Sequence, residues 1–269
     1  MKTTLITGAS DGIGKAIAIE FAIKKHNLFL VARNESKLAT LRNELQSKYG
    51  ITAQYVVADL SKPEAAKLIY ETTLKLGLSV DVLVNNAGRG SSGEFYKNDL
   101  AGELEMIQLN DSSLVALCHY FLKDMIARKS GTVINVASMI AFIPSPYMAV
   151  YAGSKHFVKA FTYSLAEECK PYNINVMLFS PGLTSSNFMN TNENNNDWGK
   201  AVTKNANTQT PEQVAAELMT AFENKKSFWV SGRKNRISQK IVGLLPQRFI
   251  AKTMGKQKRK QMEQNSPIH

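Results

Sequence analysis

The sequence predicts an α/β fold built on one doubly wound parallel sheet with helices on both faces. Short apolar runs alternate with helical patterns along most of the 269 residues, which is typical of βαβ units with right-handed crossovers. A glycine-rich turn follows the first apolar run, and no Gly-Ser linker or change in charge divides the chain before residue 225. We therefore expect a single domain over residues 1–230 and a C-terminal extension over 231–269.

The composition is that of a globular protein, with 44% hydrophobic and 20% charged residues. No uncharged apolar run reaches the ~18 residues that a membrane span requires. The first strand begins at once, so we expect no signal peptide. The two cysteines, Cys118 and Cys169, lie in apolar helical patterns without disulfide or metal spacing. These features predict a cytoplasmic protein with no bound metal.

The positive charge is concentrated near the C-terminus. The net charge is +11, but 12 of the 33 Lys and Arg residues fall within 225–260, which contains no Asp or Glu. The rest of the chain carries 21 basic and 22 acidic residues. Because the basic segment has neither a reading motif nor an interleaved aromatic platform, the sequence predicts no nucleic-acid partner.

The first unit has the pattern strand, glycine turn, helix. The β-rich run 2–7 leads into GASDGIG and then into a helical pattern. Gly8, Gly12 and Gly14 leave the turn without side chains, so backbone N–H groups at the helix N-terminus can approach a pyrophosphate. The spacing G-x-x-x-G-x-G predicts a dinucleotide-binding turn, although it differs from the commoner G-x-G-x-x-G.

The second strand, over 28–32, is followed by Arg33 and by no acid. At this position of a nucleotide-binding unit, an acid accepts from the ribose 2′-hydroxyl, whereas an arginine suits a 2′-phosphate. Arg33 therefore favours NADP(H), with NAD(H) as a possible second cofactor. The alternative is that Arg33 is only a solvated charge at a strand end.

The remaining units repeat the alternation of strand and helix. Small or polar residues follow the strands at their carboxyl ends, as a sheet needs where a flat cofactor lies across its edge. The predicted elements are a strand over 53–58 ending at Asp59, a strand ending in NNAG (85–88), one helix over 103–129 containing Asn110, a strand ending at Ser138, a helix over 148–170, and a strand over 175–180 followed by Pro181 and Gly182.

Tyr151 and Lys155 are four residues apart in the predicted helix over 148–170, so their side chains share one face. A free tyrosine has a pKa near ~10 and is a poor acid or base at neutral pH, but a nearby cation lowers that pKa. The pair therefore predicts proton transfer. Ser138, at the end of the preceding strand, is expected to hydrogen-bond the same substrate oxygen.

Together these residues resemble the short-chain dehydrogenase/reductase family. The resemblance covers about residues 1–230 and rests on TGASDGIG (7–14), Asp59, NNAG (85–88), Asn110, Ser138, YAGSK (151–155) and PG (181–182). It implies a Rossmann-type fold with about seven parallel strands. It also implies a catalytic role for four residues: Tyr151 as acid/base, Lys155 as the ribose ligand that lowers its pKa, Ser138 as the hydroxyl that orients the substrate, and Asn110 as the ligand of a relay water.

The resemblance further implies a set of cofactor contacts, which reach the adenine, the adenosine side and the nicotinamide carboxamide. The set is Gly8, Ser10, Asp11, Gly12, Ile13, Gly14, Arg33, Asp59, Leu60, Asn86, Ala87, Gly88, Tyr151, Lys155, Pro181, Gly182, Leu183 and Ser186. Asp11 departs from the family pattern, because many NADP-using members have a basic residue there. An acid could repel a 2′-phosphate, so Lys15 or Lys37 is expected to assist Arg33.

These residues predict an NADPH-dependent reduction of a carbonyl to an alcohol, in which Tyr151 supplies the proton. Substrate contacts are expected from 140–148 and from a lid over about 183–210. Three large apolar residues of the lid either close an apolar pocket or only anchor the loop: Phe188, Met189 and Trp198. A weaker similarity to long-chain 3-ketoacyl and 17β-hydroxysteroid reductases favours an apolar substrate.

Other functions and partners are also compatible with the sequence. A non-catalytic NADP-binding redox sensor or a membrane-surface scaffold on the same fold is the alternative function. The basic tail alternates apolar and charged clusters, so it could lie on an anionic membrane, cover a subunit contact, extend over the pocket or remain solvated. By analogy with the family, we expect a homodimer or homotetramer in which the helices carrying Asn110 and Tyr151 form the contact.

Overall fold

The sheet is parallel throughout and has the predicted doubly wound architecture. The computed structural model describes residues 1–185 and 208–265. The strands in that part of the chain are β1 (Thr3–Thr7), β2 (Asn27–Ala32), β3 (Ala53–Val57), β4 (Val80–Asn85), β5 (Gly131–Val136), β6 (Ile174–Ser180) and β7 (Phe228–Val230). They pair in the order β3-β2-β1-β4-β5-β6-β7. The strand order reverses between β1 and β4, which is where ligands bind in open parallel sheets.

Helices cover both faces of the sheet. They are α1 (Gly12–Ile23), α2 (Glu35–Tyr49), α3 (Ala65–Lys75), α4 (Leu100–Ile107), α5 (Ser113–Ala127), α6 (Ala149–Cys169), α7 (Pro211–Glu223), α8 (Arg233–Val242) and α9 (Gln247–Asn265). Successive side chains of a strand point to opposite faces, so the neighbours Leu5 and Ile6 enter two different cores. The first core contains Phe121 of α5, and the second contains Phe21 of α1.

The predicted helix over 103–129 is wrong as a single element. A π-helical turn, Gln108–Ser112, separates α4 from α5. Such a turn contains an extra residue relative to an α-helix and is frequent at functional sites. It brings Asn110 and Asp111 into the interior, where both are buried. An apolar pattern cannot show this insertion, because the residues on either side keep helical spacing.

The other predicted elements are confirmed within one or two residues. Both cysteines are buried and free, as expected for packing residues.

The C-terminal extension contains helices α8 and α9. Most of the predicted lid lies outside the described residues, and with it Ser186, Phe188, Met189 and Trp198.

Candidate active site

Helix α6 carries Tyr151 and Lys155 one turn apart, and both side chains are buried. Lys155 Nζ donates to Val136 O at 3.1 Å, which holds the ammonium group at the carboxyl end of β5. Tyr151 packs in a small apolar cluster with Met106 and Met148. The tyrosine and the lysine are therefore held in a dry site between α4, α6 and the sheet edge.

Ser138 follows β5 and caps a short 3₁₀ turn, accepting from Ile140 N at 3.3 Å. Its hydroxyl is also hydrogen-bonded to the phenol of Tyr151. The backbone on either side of Ser138 is tied to the next strand, since Ala137 N donates to Phe179 O at 2.8 Å. The structure thus brings the two hydroxyls together, and their binding to one substrate oxygen stays a prediction.

The pKa of Tyr151 moves in the direction opposite to the prediction. Burial raises it to about 12, and the hydrogen bond with Ser138 only partly opposes that rise. The net pKa is therefore raised and not lowered, because removing the phenolate from water is the larger effect. The influence of Lys155 itself stays a prediction. Burial also lowers the pKa of Lys155 to about 8, while the charge of Asp111 opposes this. At neutral pH both Tyr151 and Lys155 carry their protons.

The side chain of Asn110 clamps the loop after β4. Its Oδ1 accepts from Arg89 N at 3.0 Å, and its Nδ2 donates to Arg89 O at 3.0 Å and to Ser154 Oγ at 3.1 Å. Ser154 Oγ in turn donates to Tyr151 O at 2.8 Å. Both amide hydrogens of Asn110 are thereby used, so the relay water implied by the family resemblance would have to donate to an Asn110 oxygen, either Oδ1 or the backbone carbonyl.

Asp111 is a site residue that the sequence reasoning missed. It is buried beside Asn110, and its Oδ1 has no hydrogen-bond partner among the described residues. Burial raises its pKa to about 7, and the charge of Lys155 opposes that rise. Its position inside an otherwise apolar helical pattern could have identified Asp111 from the sequence, because a buried acid in such a pattern is unusual.

The glycine turn forms the cradle expected for a pyrophosphate. Gly8 and Gly12 have φ of +65° and +52°, a region that favours glycine. A Cβ at Gly14 would overlap the carbonyl oxygen of Gly8, so the turn packs directly on the first turn of α1. The side chain of Asp11 caps this helix by accepting from Gly12 N at 2.8 Å. Ser10 and Ile13 are half-buried in the same turn.

The ribose end of the predicted cofactor site is basic and open. Arg33 is exposed after β2, next to Asp59 at the end of β3. Although burial acts to raise the pKa of Asp59, the hydrogen bonds from Ser61 and the charge of Arg33 hold it below its usual value. Leu60 lies in the apolar core, so only its backbone can reach a ligand.

The NNAG segment (85–88) is hydrogen-bonded to the end of β1, at the place where the strand order reverses between β1 and β4. Asn86 Nδ2 donates to Thr7 O at 2.9 Å, and the backbone N–H groups of Asn86 and Ala87 donate to Thr7 Oγ1 at 3.0 Å each. A Cβ at Gly88 would lie 3.0 Å from Asn110 Oδ1 and 3.5 Å from Lys155 Nζ. The residues predicted to contact the cofactor and those predicted to be catalytic are therefore adjacent.

The segment after β6 borders the same region. Pro181 O accepts from Met139 N at 2.9 Å, next to Ser138. Gly182 packs against Asn235 of α8 so closely that a Cβ there would overlap the amide. Leu183 is exposed. These residues lie on the Ser138 side of the carboxyl edge of the sheet, and the glycine cradle follows β1, so the residues present fit a dinucleotide.

A cavity of about 330 Å³ opens beside the start of α6. Three aromatic residues, Phe95, Tyr96 and Tyr147, line it together with Val150, and Arg259 of α9 stands at its wall. Tyr147 belongs to the segment 140–148 from which substrate contacts were predicted. Glu94, Asn98 and Glu103 also line it, so the cavity suits a molecule with a large apolar part and a polar group.

Comparisons with known proteins agree with this geometry. The family model described as short chain dehydrogenase matches residues 2–197. The chain is 36% identical over 176 residues to a very-long-chain 3-oxoacyl-CoA reductase of Laccaria bicolor, covering 64% of this chain and 52% of that protein. It thus spans about half the length of that relative. It is 31% identical to a 7beta-hydroxysteroid dehydrogenase of Collinsella aerofaciens, covering 87% of each chain.

Solved structures resemble the chain over most of its length. A short-chain dehydrogenase from Sphingobium yanoikuyae in complex with NADPH superposes with a TM-score of 0.78 at 26% identity, covering 92% of this chain and 97% of that one. L-Sorbose reductase from Gluconobacter frateurii, complexed with NADPH and L-sorbose, has a TM-score of 0.76 at 28% identity, covering 86% and 95%.

Proposed function

The chain belongs to the short-chain dehydrogenase family of oxidoreductases, and from that premise we propose that it reduces a large apolar ketone to an alcohol with NADPH. The observation that carries the proposal is the pair of hydrogen-bonded hydroxyls, those of the half-buried Ser138 and the buried Tyr151, beside the buried Lys155. In such a site the hydroxyls of Ser138 and Tyr151 both donate hydrogen bonds to a substrate carbonyl oxygen, and the phenol of Tyr151 can transfer its proton to that oxygen.

The residues of the chain divide the proton chemistry between them. Ser138 donates a hydrogen bond to the substrate carbonyl and fixes its direction, while Tyr151 transfers its proton to the same oxygen as negative charge develops there. A raised tyrosine pKa keeps the phenol protonated until that moment. Reduced NADP supplies the hydride when bound.

Lys155 and Asn110 act around this centre. Lys155 is held by Val136 O, and its cation stabilises the phenolate that Tyr151 leaves behind. Asn110 fixes the loop at Arg89 and, through Ser154, the backbone of Tyr151. Removing the Asn110 amide would therefore loosen both the cofactor edge and the catalytic tyrosine.

Preference for NADP(H) is supported by Arg33 and by the two similar structures that hold NADPH. The exposed guanidinium at the end of β2 suits a 2′-phosphate. NAD(H) remains usable, because the contacts to the shared part of the two cofactors do not depend on Arg33.

An apolar substrate is supported by the aromatic cavity beside α6 and by the names of two relatives, a very-long-chain 3-oxoacyl-CoA reductase and a 7beta-hydroxysteroid dehydrogenase. Both names describe substrates with long or large apolar skeletons. We accordingly propose 3-oxoacyl thioesters and ketosteroids as the classes to test first. The free, buried cysteines suit a reducing compartment, and we propose the cytoplasm as the location.

A homo-oligomer is part of the proposal. On α4, Leu100, Leu104 and Ile107 follow helical spacing and are all exposed. Such a stripe is the surface that a second copy of the chain would bury.

The test is NADPH and NADH oxidation against a panel of ketosteroids, 3-oxoacyl thioesters and smaller ketones. Wild type, Tyr151→Phe and the control Tyr163→Phe, which changes an exposed tyrosine of the same helix, are compared. We expect turnover to fall by about 10²-fold or more in Tyr151→Phe and to persist in the control. Tight NADPH binding with no turnover of any panel member would favour the redox-sensor alternative.

A further inference from the structure

Helix α8 presents its polar side to the protein and its apolar side outward. Asn235 Nδ2 donates to Ser231 O at 2.8 Å, and Arg236 Nη1 lies 2.6 Å from Glu217 Oε2. No residue of this helix is buried. Ile237 and Ile241, which share a face one turn apart, are 52% and 57% exposed. The helix is thus held by polar contacts and leaves its isoleucines in water.

The exposed apolar surface continues through the turn into α9. Leu244 is 87% exposed, and Leu245 and Phe249 are also exposed. We call these five residues the apolar stripe: Ile237, Ile241, Leu244, Leu245 and Phe249. Removing large apolar side chains from water is favourable, so an exposed stripe of them indicates a surface that binds something.

Basic residues border the stripe and acids are absent from it. At about 100° per residue, Lys234 and Lys240 lie about 60° to either side of Ile237 on α8. Arg248 and Lys252 are exposed on α9. The segment 225–260 contains no Asp or Glu. An apolar face flanked by lysine and arginine is the pattern of helices that lie in a membrane interface, where the basic head groups meet anionic lipids.

A second copy of the chain fits this surface less well. A symmetric contact would place the same basic residues of two copies opposite each other, and like charges brought together repel. An anionic bilayer offers both an apolar interior for the stripe and negative charge for its borders.

We propose that the apolar stripe docks the protein on the surface of anionic membranes. Docking is peripheral, since no helix within 1–185 or 208–265 is long and apolar enough to cross a bilayer. The surface is fixed relative to the site: Ile250 anchors the start of α9 in the protein, Gly255 packs near Pro146, and Arg259 lines the aromatic cavity. The docking itself does not depend on the reductase activity.

The experiment is vesicle flotation of the full chain with two lipid compositions, pure phosphatidylcholine and a mixture with about one third phosphatidylglycerol. Two variants accompany wild type: Ile241→Glu in the stripe and Leu74→Glu on α3, which is exposed to a similar extent and undergoes the same change in charge. Circular dichroism verifies that both variants are folded.

We expect wild type and Leu74→Glu to float with the anionic vesicles, less at high salt, and Ile241→Glu to lose about tenfold or more of its bound fraction. No binding of wild type to anionic vesicles, or an equal loss in both variants, would overturn the proposal. A mass in light scattering that Ile241→Glu halves, without vesicle binding by wild type, would instead assign the stripe to a contact between copies.

Discussion

Lys37 Nζ lies 2.7 Å from Asp11 Oδ2 and so joins the first turn of α2 to the cap of α1. The hydrogen bond from Lys37, followed by the one from Gly12 N, holds the pKa of Asp11 below its usual value. Asp11 is therefore ionised but paired. The repulsion that the sequence predicted between Asp11 and a 2′-phosphate is offset by this lysine, and Arg33 stays the cation that we propose for the phosphate.

Replacing Arg33 tests that assignment. We expect Arg33→Ala to weaken NADPH binding about tenfold and to leave NADH binding unchanged, because only NADPH carries the 2′-phosphate. Titration calorimetry with both cofactors measures the two dissociation constants. Lys170→Ala is the control, since Lys170 lies just before β6, toward the opposite edge of the sheet, and pairs with Glu167 at 2.6 Å. Equal weakening of both cofactors by Arg33→Ala would contradict the assignment.

Asp111 is expected to make activity and stability depend on pH. Its pKa is raised to about 7 in the folded protein from 3.8, so the folded state binds its proton more tightly than the unfolded state. Stability from this group is complete below about pH 4 and is lost as pH rises through about 7. Asp111→Asn should therefore gain thermal stability over wild type as pH rises from 4 to 8.

The same substitution should shift the alkaline limb of activity. The charge of Asp111 opposes the lowering of the Lys155 pKa, so without it Lys155 loses its proton at lower pH. The kcat/KM profile of Asp111→Asn should fall at lower pH than that of wild type. Asp124→Asn, which changes an acid bonded to Tyr70, is the control. Identical profiles for wild type and Asp111→Asn would rule out the coupling.

Two glycine-to-alanine substitutions test two different roles of glycine: Gly14→Ala tests close backbone packing, and Gly153→Ala tests helix propensity. A Cβ at Gly14 meets backbone that cannot yield, whereas a Cβ at Gly153, within α6, meets nothing within 4 Å. We expect Gly14→Ala to lose NADPH binding or fold poorly, and Gly153→Ala to raise the unfolding free energy by about 0.5–1 kcal/mol. Urea unfolding monitored by circular dichroism measures both. Normal NADPH binding and stability in Gly14→Ala would show that the turn is not packed as described.

The exposed face of α4 predicts the subunit contact. Leu104 lies between Leu100 and Ile107 on the exposed apolar face of α4. Leu104→Glu places a charge in the middle of this face, so we expect it to reduce the mass measured by light scattering to that of a monomer. Leu76→Glu, on the exposed end of α3, should leave the mass unchanged. A monomeric wild type would refute the oligomer.

Much of the site could be predicted because its parts are local in sequence. The strand ends that carry Arg33, Asp59 and Ser138 follow from short apolar runs, and the spacing of Tyr151 and Lys155 follows from helical geometry. The glycine turn also has the positive φ values that its predicted tight geometry needs. Each of these depends on periodicity within one unit and on the order of units in a parallel sheet.

The sequence by itself determined the order of strands and helices, the residues at the sheet edge and the basic charge of the tail, because period, propensity and charge are properties of neighbouring residues. Only the tertiary structure decided the π-helical turn around Asn110, the raised pKa of Tyr151, the pairing of Lys37 with Asp11 and the outward face of α8. These depend on burial and on contacts between distant segments. Desolvation in particular is set by everything that surrounds a group, and no local pattern records it.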